Sequence, residues 1–390
     1  MAGGAAVIVG AGIGGVSAAL ALALSGWQVR VFEQSAAAEE VGAGLQLGPN
    51  AVKVLDTWGL GAALRAVSSA PRGVEMRDDR TFRLIATVPL GPTIAARYGA
   101  PYLQIHRADL LRLLLNAAMG AGVAFTYGQH VADWAARPKA DLVLAADGIR
   151  SALRAPVSGA SDPRFSGQVA WRATVPAAAV PGLDPAATLL ALGPRRHLVA
   201  YTLRDGALWN IVAVREDAPP AGEGWRAPGD ARALRHAFAD AAAPVRALLA
   251  GVDTCILWGL YDHRPLPRWR RDNVALIGDA AHPMLPFMAQ GAAMAIEDAA
   301  VLAGALTRHP QPAAALAAYE TRRRPRTTRL QRVARGNARI YHAANPLLAR
   351  GLHGAIAARA ALPGGLLGRF DWLYGWTPEM GERLTSAALP

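Results

Sequence analysis

The chain has 390 residues, 52% of them hydrophobic, with a formal net charge of +12 and one cysteine. That length buries a substantial core and allows two domains, or one large α/β unit with an inserted sheet. The lone Cys255 excludes an intramolecular disulfide and a cysteine-based metal cluster. Of the 41 basic residues only Lys53 and Lys139 are lysines, and the arginines are spread along an alanine-rich chain. That spread points to genome bias rather than a nucleic-acid surface.

Residues Ala5 to Trp27 carry no charge and are long enough to mimic a membrane span or leader, but no basic residue precedes them. No membrane span is expected, and the default location is the cytoplasm. Ala6 to Val9 reads as a strand, followed by Gly10-Ala11-Gly12-Ile13-Gly14-Gly15 and a helix through Leu24 that ends at Gly26. A second strand, Val29 to Phe32, closes on Glu33. Gly10 permits the tight turn, Gly12 lets backbone approach a pyrophosphate, and Gly15 permits close helix-to-strand packing. Glu33 lies where a carboxylate can accept both ribose hydroxyls. The unit predicts a dinucleotide site without separating FAD from NAD.

Val41 to Asn50 is a loop whose Gly42, Gly44 and Gly48 open backbone conformations closed to other residues. An ordinary NAD-binding unit would pass from Glu33 straight into a helix, so the loop counts against a simple dehydrogenase. Helix resumes at Ala51 to Trp58. Residues 73–98 alternate apolar and charged, as half-exposed strands do. His106 to Leu110 opens a helix that runs to about Met119, with Arg107 placed to face a ligand. Val123 to Tyr127 and Val131 to Trp134 read as strands. Asp141 to Ala145 is a buried strand ending in Ala146-Asp147-Gly148.

From about Pro156 to Pro265 strands dominate: Val169 to Val175, Thr188 to Leu192, Arg196 to Leu203 and Ala207 to Val214. Arg204-Asp205-Gly206 signals a hairpin between the last two. His197, Val199 and Tyr201 share one face of their strand, which spacing alone leaves as either half-buried sheet or catalytic surface. Helix returns over Arg232 to Leu249 and a strand over Asp253 to Leu260. Val274 to Ile277 is a strand ending in Gly278-Asp279, which parallels the Asp147-Gly148 element. An extended loop with two prolines follows, and a helix begins near Gln290 with small residues Gly291, Ala292 and Ala293 at its start. Arg322 to Arg339 reads as the solvated face of a long helix.

In this order, GAGIGG with Glu33, GAGLQLGPNA, HRADLL, LAADGIRSALR and LIGDAAHPMLPFMAQGAAMAIEDAA resemble the single-component FAD-dependent aromatic hydroxylases. The branch most similar is that of salicylate 1-hydroxylase, 3-hydroxybenzoate 6-hydroxylase and 6-hydroxynicotinate 3-monooxygenase. The resemblance covers the chain to about Asn345, with FDWLYGW around Phe370 also similar.

It implies an α/β fold: a Rossmann-like FAD-binding domain of residues 1–72, 99–155 and 266–345, and an inserted mixed β-sheet substrate domain of residues 73–98 and 156–265. Residues 346–390 would form C-terminal helices. FAD would be bound by Gly10, Gly12, Gly14, Gly15, Glu33, Gly44, Arg107, Asp147, Asp279, Pro283 and Gly291. NADH or NADPH would be co-substrate, with no separate domain for it. His197, Tyr201 and Gln290 would be catalytic, His197 as proton acceptor and Tyr201 orienting the ring hydroxyl. Gln46 and Leu47 would join them against the substrate.

The implied reaction uses NAD(P)H and O2 to hydroxylate a small phenolic or hydroxy-heteroaromatic acid, one oxygen passing from the flavin C4a position to an electron-rich ring. No metal, nucleic acid or membrane partner is expected, and a homodimer is one assembly the reading allows. Two alternatives stand beside it: a flavin monooxygenase of a larger polyketide, quinone or drug scaffold, and a dinucleotide-binding protein that is no oxygenase.

Overall fold

The computed structural model describes residues 3–37, 44–159, 162–180, 182–220 and 227–378. Gly42 lies outside them. The apolar run near the start becomes strand Ala5–Val9, inside a six-stranded sheet ordered Arg270–Arg271, Val274–Leu276, Leu142–Ala145, Ala5–Val9, Gln28–Phe32 and Ala124–Thr126. All neighbours run parallel except the outermost pair at residues 270–276. A parallel sheet needs its faces covered, and the alanine-rich helix Ile13–Leu24 packs against strands Ala5–Val9 and Gln28–Phe32. It packs between helices Arg107–Gly120 and Gly291–Arg308, and its small side chains allow the close approach.

Strands Ala5–Val9, Leu142–Ala145 and Val274–Leu276 are adjacent and parallel, so the loops at their carboxyl ends emerge on one edge. Gly10, Asp147 and Asp279, far apart in sequence, thereby share the crevice where open α/β sheets hold ligands.

An eight-stranded mixed sheet stands beside this unit, ordered Pro228–Gly229, Cys255–Asp262, Arg164–Pro176, Leu208–Glu216, Arg196–Leu203, Ala187–Gly193, Gly73–Asp78 and Leu84–Pro89. The central hairpin pairs Arg196–Leu203 with Leu208–Glu216, across a turn with left-handed backbone at Arg204, Asp205 and Gly206. Period-two alternation sends Leu198 and Ala200 to the outer face, where helices Ala231–Ala237 and Ala243–Ala250 cover them with Leu234, Phe238 and Leu248. His197, Val199 and Tyr201 consequently face inward.

Three local expectations give way. Residues 131–134 form no strand: Asp133 accepts from Ala136 N at 2.9 Å, and Arg137 stacks over Trp134 at 4.1 Å, turning the chain within a few residues. Within 73–98 only two strands form, because Pro92 starts and left-handed Gly99 stops a helix, Gly91–Tyr98. The helix expected over Arg232 to Leu249 is two helices, the second restarted by Pro244.

A three-stranded sheet of Gly44–Leu47, Leu103–His106 and Ser68–Ser69 spans the two larger ones. The 30-residue helix Pro312–Tyr341 and helix Pro346–Ala361 follow, and Phe370 and Tyr374 return to pack with Tyr98 and Tyr102. Among the described residues no helix is long and apolar enough to cross a membrane, and no group of His, Cys, Asp or Glu could hold a metal ion.

Candidate active site

The glycine turn has backbone requirements that only glycine meets. Gly10 adopts φ +106°, and a Cβ on Gly15 would stand 1.9 Å from the Gly10 carbonyl oxygen. Gly12, at the start of helix Ile13–Leu24, has nothing within 4 Å of where a Cβ would lie. Glu33 braces the turn, its Oε2 accepting from Ala11 N at 2.8 Å and its Oε1 from Ser35 N at 2.9 Å.

Arg154 ties the two Asp-containing loops together. Its guanidinium donates to the carbonyls of Gly148 at 2.9 Å, Asp279 at 2.8 Å and Ala280 at 2.8 Å, and to Ile149 at 2.5 Å. Burial lowers its pKa to about 10, which still leaves it charged at neutral pH. Asp147 Oδ2 accepts from Ala152 N at 2.9 Å, while its buried Oδ1 has no partner. The Asp279 side chain is exposed along the crevice.

Behind this edge lies a buried ionic cluster that fixes its shape. Asp298 accepts from Gly278 N at 3.0 Å and pairs with His282 Nε2 at 2.5 Å and Arg323 Nε at 2.6 Å. Glu297 pairs with Arg323 and, through both oxygens, with Arg326 at 2.7 and 2.8 Å. The arginines hold Glu297, and His282 with Arg323 holds Asp298, below the usual carboxylate range despite full burial. Glu297 Oε1 also accepts from Asn50 Nδ2 at 2.7 Å, and Asn50 donates to Gln290 Oε1 at 3.1 Å. The Gln290 amide nitrogen, 1% exposed as a residue, is left without a partner at the cavity wall. Ala289, before it, takes a left-handed φ of 50°, a strained conformation of the kind that collects at functional sites.

The cavity has a volume of about 470 Å³, within the usual range for small-ligand sites. Gly12, Gly14, Gly44, Arg107, Asp279 and Gly291 line it at the dinucleotide end, with Gln46, His197, Tyr201 and Gln290 further in. Gly10, Gly15, Glu33, Asp147 and Pro283 stand behind that surface; Pro283 is buried, its carbonyl accepting from Gln331 Nε2 at 2.8 Å. Leu47 corrects an expectation: it is fully buried in the main core, and Leu45 lines the cavity instead. Leu45 and Leu47 share one face of strand Gly44–Leu47, with Leu45 at the cavity and Leu47 further along in the core.

The inner wall combines donors with a cation. Gln46 Oε1 accepts from Tyr102 OH at 2.6 Å, and Tyr201 also hydrogen-bonds Gln46. Burial pushes the Tyr201 phenol up, so it stays protonated and can donate. Gly44 N donates to Asn210 Oδ1 at 2.7 Å, joining the loop to the sheet. His197 Nδ1 lies 2.7 Å from His342 Nε2, and burial together with that second ring holds His197 well below the ordinary imidazole value. It is therefore neutral and able to accept a proton.

Arg172 lines the same cavity, its guanidinium 4.6 Å over the Trp258 ring and its buried Nε without a partner. Burial lowers its pKa to about 10, with Arg107 adding to that and Tyr201 opposing it. No carboxylate among the described residues pairs with it. Arg172, Arg154, Tyr102 and His342 escaped the sequence reading. Arg172 left one trace, a single charge inside the apolar run Val169 to Val175.

The groove suits an extended dinucleotide: open backbone at Gly12, unsatisfied buried atoms on Asp147 and Gln290, and a carboxylate at Glu33. Residues 5–334 match the model of a protein family described as FAD binding domain. The chain belongs to that family. It is 35% identical to 6-hydroxynicotinate 3-monooxygenase of Bordetella bronchiseptica, over 87% of this chain and 92% of that protein. It is 36% identical to 3-hydroxybenzoate 6-hydroxylase 1 of Aquipseudomonas alcaligenes, over 95% of this chain and 97% of that protein.

A solved salicylate hydroxylase substrate complex superposes over 100% of both chains, with a TM-score of 0.81 and 27% identity. Klebsiella pneumoniae HpxO, complexed with FAD and uric acid, does so over 91% of this chain and 92% of its own, with a TM-score of 0.77 and 30% identity. The chain is thus a flavoprotein aromatic monooxygenase with FAD as its cofactor and NAD(P)H as the reductant typical of its family.

Proposed function

We propose that this monooxygenase hydroxylates a small phenolic or hydroxy-heteroaromatic acid. The observation that carries the reading is the placement of Arg172, charged and without a carboxylate partner among the described residues, in the same cavity as neutral His197 and protonated Tyr201. A buried cation left in that state suits an anionic ligand, since an unpaired buried charge is costly. An imidazole and a phenol beside it suit a ring hydroxyl. The relatives at 35% and 36% identity are named for hydroxynicotinate and hydroxybenzoate, which agrees with that chemistry.

In this reading Gly10, Gly12, Gly14 and Gly15 cradle the FAD pyrophosphate, Glu33 takes the adenosine ribose, and Asp279 takes the ribityl hydroxyls. Arg107 and Asp147 reach the cofactor from the side, and Gly44, Pro283 and the helix start at Gly291 border its ring. Bound FAD, once reduced by NADH or NADPH, supplies the activated oxygen. The chain's own residues do the rest. Arg172 pairs with the carboxylate and fixes which ring carbon faces the cofactor. Tyr201, held by Gln46, donates to the ring oxygen. His197 accepts the hydroxyl proton, which makes the ring more nucleophilic. The free amide nitrogen of Gln290 donates into the space between ring and cofactor.

The test is a screen of NADH and NADPH oxidation by the purified holoenzyme with salicylate, 3-hydroxybenzoate, 6-hydroxynicotinate and 3-amino-4-hydroxybenzoate, followed by product mass. Strong stimulation by one acid is expected, with a product whose mass shows one oxygen added to the ring, with or without loss of the carboxyl group. Stimulation only by large neutral aromatic scaffolds would overturn the acid reading.

A further inference from the structure

His197 is not the end of the polar chain that leaves the cavity. Its Nδ1 lies 2.7 Å from His342 Nε2, and His342 Nδ1 lies 3.2 Å from Gln168 Nε2 and 3.6 Å from Glu216 Oε1. Both histidines are buried, whereas the Glu216 side chain is 42% exposed. The backbone holds this alignment, because Arg195 N donates to His342 O at 3.3 Å and Glu216 N donates to Arg195 O at 2.9 Å. The end of the long helix is thereby fastened to the mouth of the hairpin that carries His197.

We propose that His342 and Glu216 form a proton outlet for His197, carrying the substrate's hydroxyl proton from the cavity to solvent. The proposal rests on the phenolic-substrate reading above. The substrate O–H gives its proton to His197 Nε2 as His197 Nδ1–H passes to His342 Nε2. His342 Nδ1–H passes to the Glu216 carboxylate, which loses it to water. The phenolate stays behind, and both imidazoles end neutral in the other tautomer. The reverse passage, as product leaves with a proton restored, resets them. Gln168 Nε2 donates to His342 Nδ1 once that nitrogen has given up its proton; while Nδ1 carries the proton, the Gln168 amide must turn to present Oε1, which otherwise has no partner.

The surroundings explain why one histidine would not suffice. Phe287 and Tyr341 flank His197 with ring centroids at 5.2 and 5.3 Å, and no carboxylate among the described residues touches it. Burial pushes His342 down to about 4 and His197 well below its ordinary value. A proton held on either ring would therefore be disfavoured, and passing it along avoids a lasting buried imidazolium. Among the described residues Arg195 also faces the outlet, its Nε 3.8 Å from Glu216 Oε2.

The experiment compares wild-type holoenzyme with His342→Gln and Glu216→Gln, on whichever of salicylate, 3-hydroxybenzoate and 6-hydroxynicotinate the wild type hydroxylates. It measures kcat, KM and product yield from pH 6 to 10. His342→Gln should lose about tenfold or more in kcat at pH 7 with little change in KM, and with a substrate whose hydroxyl is not ortho to the carboxylate it should recover as pH approaches the ordinary phenol value of about 10. Glu216→Gln should lose less, since water can stand in, with recovery in the same direction. A loss independent of pH would assign His342 to packing alone and overturn the outlet, as would wild-type pH profiles in both variants. If His342→Gln does not fold, the exposed Glu216→Gln decides: a wild-type profile overturns the outlet. A wild type that hydroxylates none of the three, nor 3-amino-4-hydroxybenzoate, overturns the substrate reading itself, an outcome visible before either variant is made.

Discussion

Arg172 offers the sharpest quantitative test of the substrate assignment. Arg172→Gln keeps a polar side chain in the strand but removes the charge that faces the cavity. Truncating one partner of a buried, hydrogen-bonded charge pair costs about 2–5 kcal/mol, and about 1.4 kcal/mol is tenfold. Affinity for the aromatic acid should therefore fall by about 30-fold to several thousand-fold. With burial at Arg172 and a pKa of about 10, the upper half of that range is expected at pH 7. The loss should sit mostly in KM, because the carboxylate is bound alike before and during oxygen transfer.

The assay is steady-state kinetics with the acid and with its primary carboxamide. The carboxamide should lose less than about threefold in the variant, since it has no charge to pair. The substrate-free variant should also melt no lower than wild type, because an unpaired buried charge has been removed. Equal losses for acid and amide, or no loss for the acid, would refute the assignment.

His197→Ala should retain FAD, seen in its visible spectrum, yet consume NAD(P)H and O2 with much less product; wild-type coupling would remove His197 as the base. General-base loss of about 100-fold in the hydroxylation step is the expected scale. Gly12→Ala meets no protein atom within 4 Å, so the variant should fold normally but bind FAD about 5- to 150-fold more weakly, the scale of a few kcal/mol of overpacking; unchanged affinity by flavin titration would displace the cofactor from that turn. Arg323→Met strands Glu297 and Asp298, whose buried carboxylates it pairs, and should destabilise the protein by about 3–5 kcal/mol in denaturant unfolding. A loss under about 1 kcal/mol would show that Arg326 and His282 suffice.

The cofactor half was legible because its constraints are local. The turn at Gly10 to Gly15 needs particular backbone angles within six residues, and the strand ends at Ala146-Asp147 and Gly278-Asp279 carry their own breakers. The inner face of the hairpin was legible by parity, since His197 and Tyr201 lie four residues apart in one strand. Contacts made across the fold left no such trace. Arg154 clamps carbonyls more than 120 residues away, and His342 meets His197 across 145 positions. Leu47 and Leu45 share a parity, so alternation could not choose between them; the path of the short strand did. The run Val131 to Trp134 had strand-like composition, but a strand also needs a neighbour, which composition does not encode.

The central claim is that one cavity joins an FAD groove to a site that hydroxylates an aromatic acid. The most direct test is the stoichiometry of the purified holoenzyme with its best acid substrate under isotopically heavy O2. One NAD(P)H should be oxidised and one O2 consumed per product, with a single heavy oxygen on the ring. NAD(P)H oxidation that leaves the aromatic acid unchanged, or a product oxygen drawn from water, would contradict it.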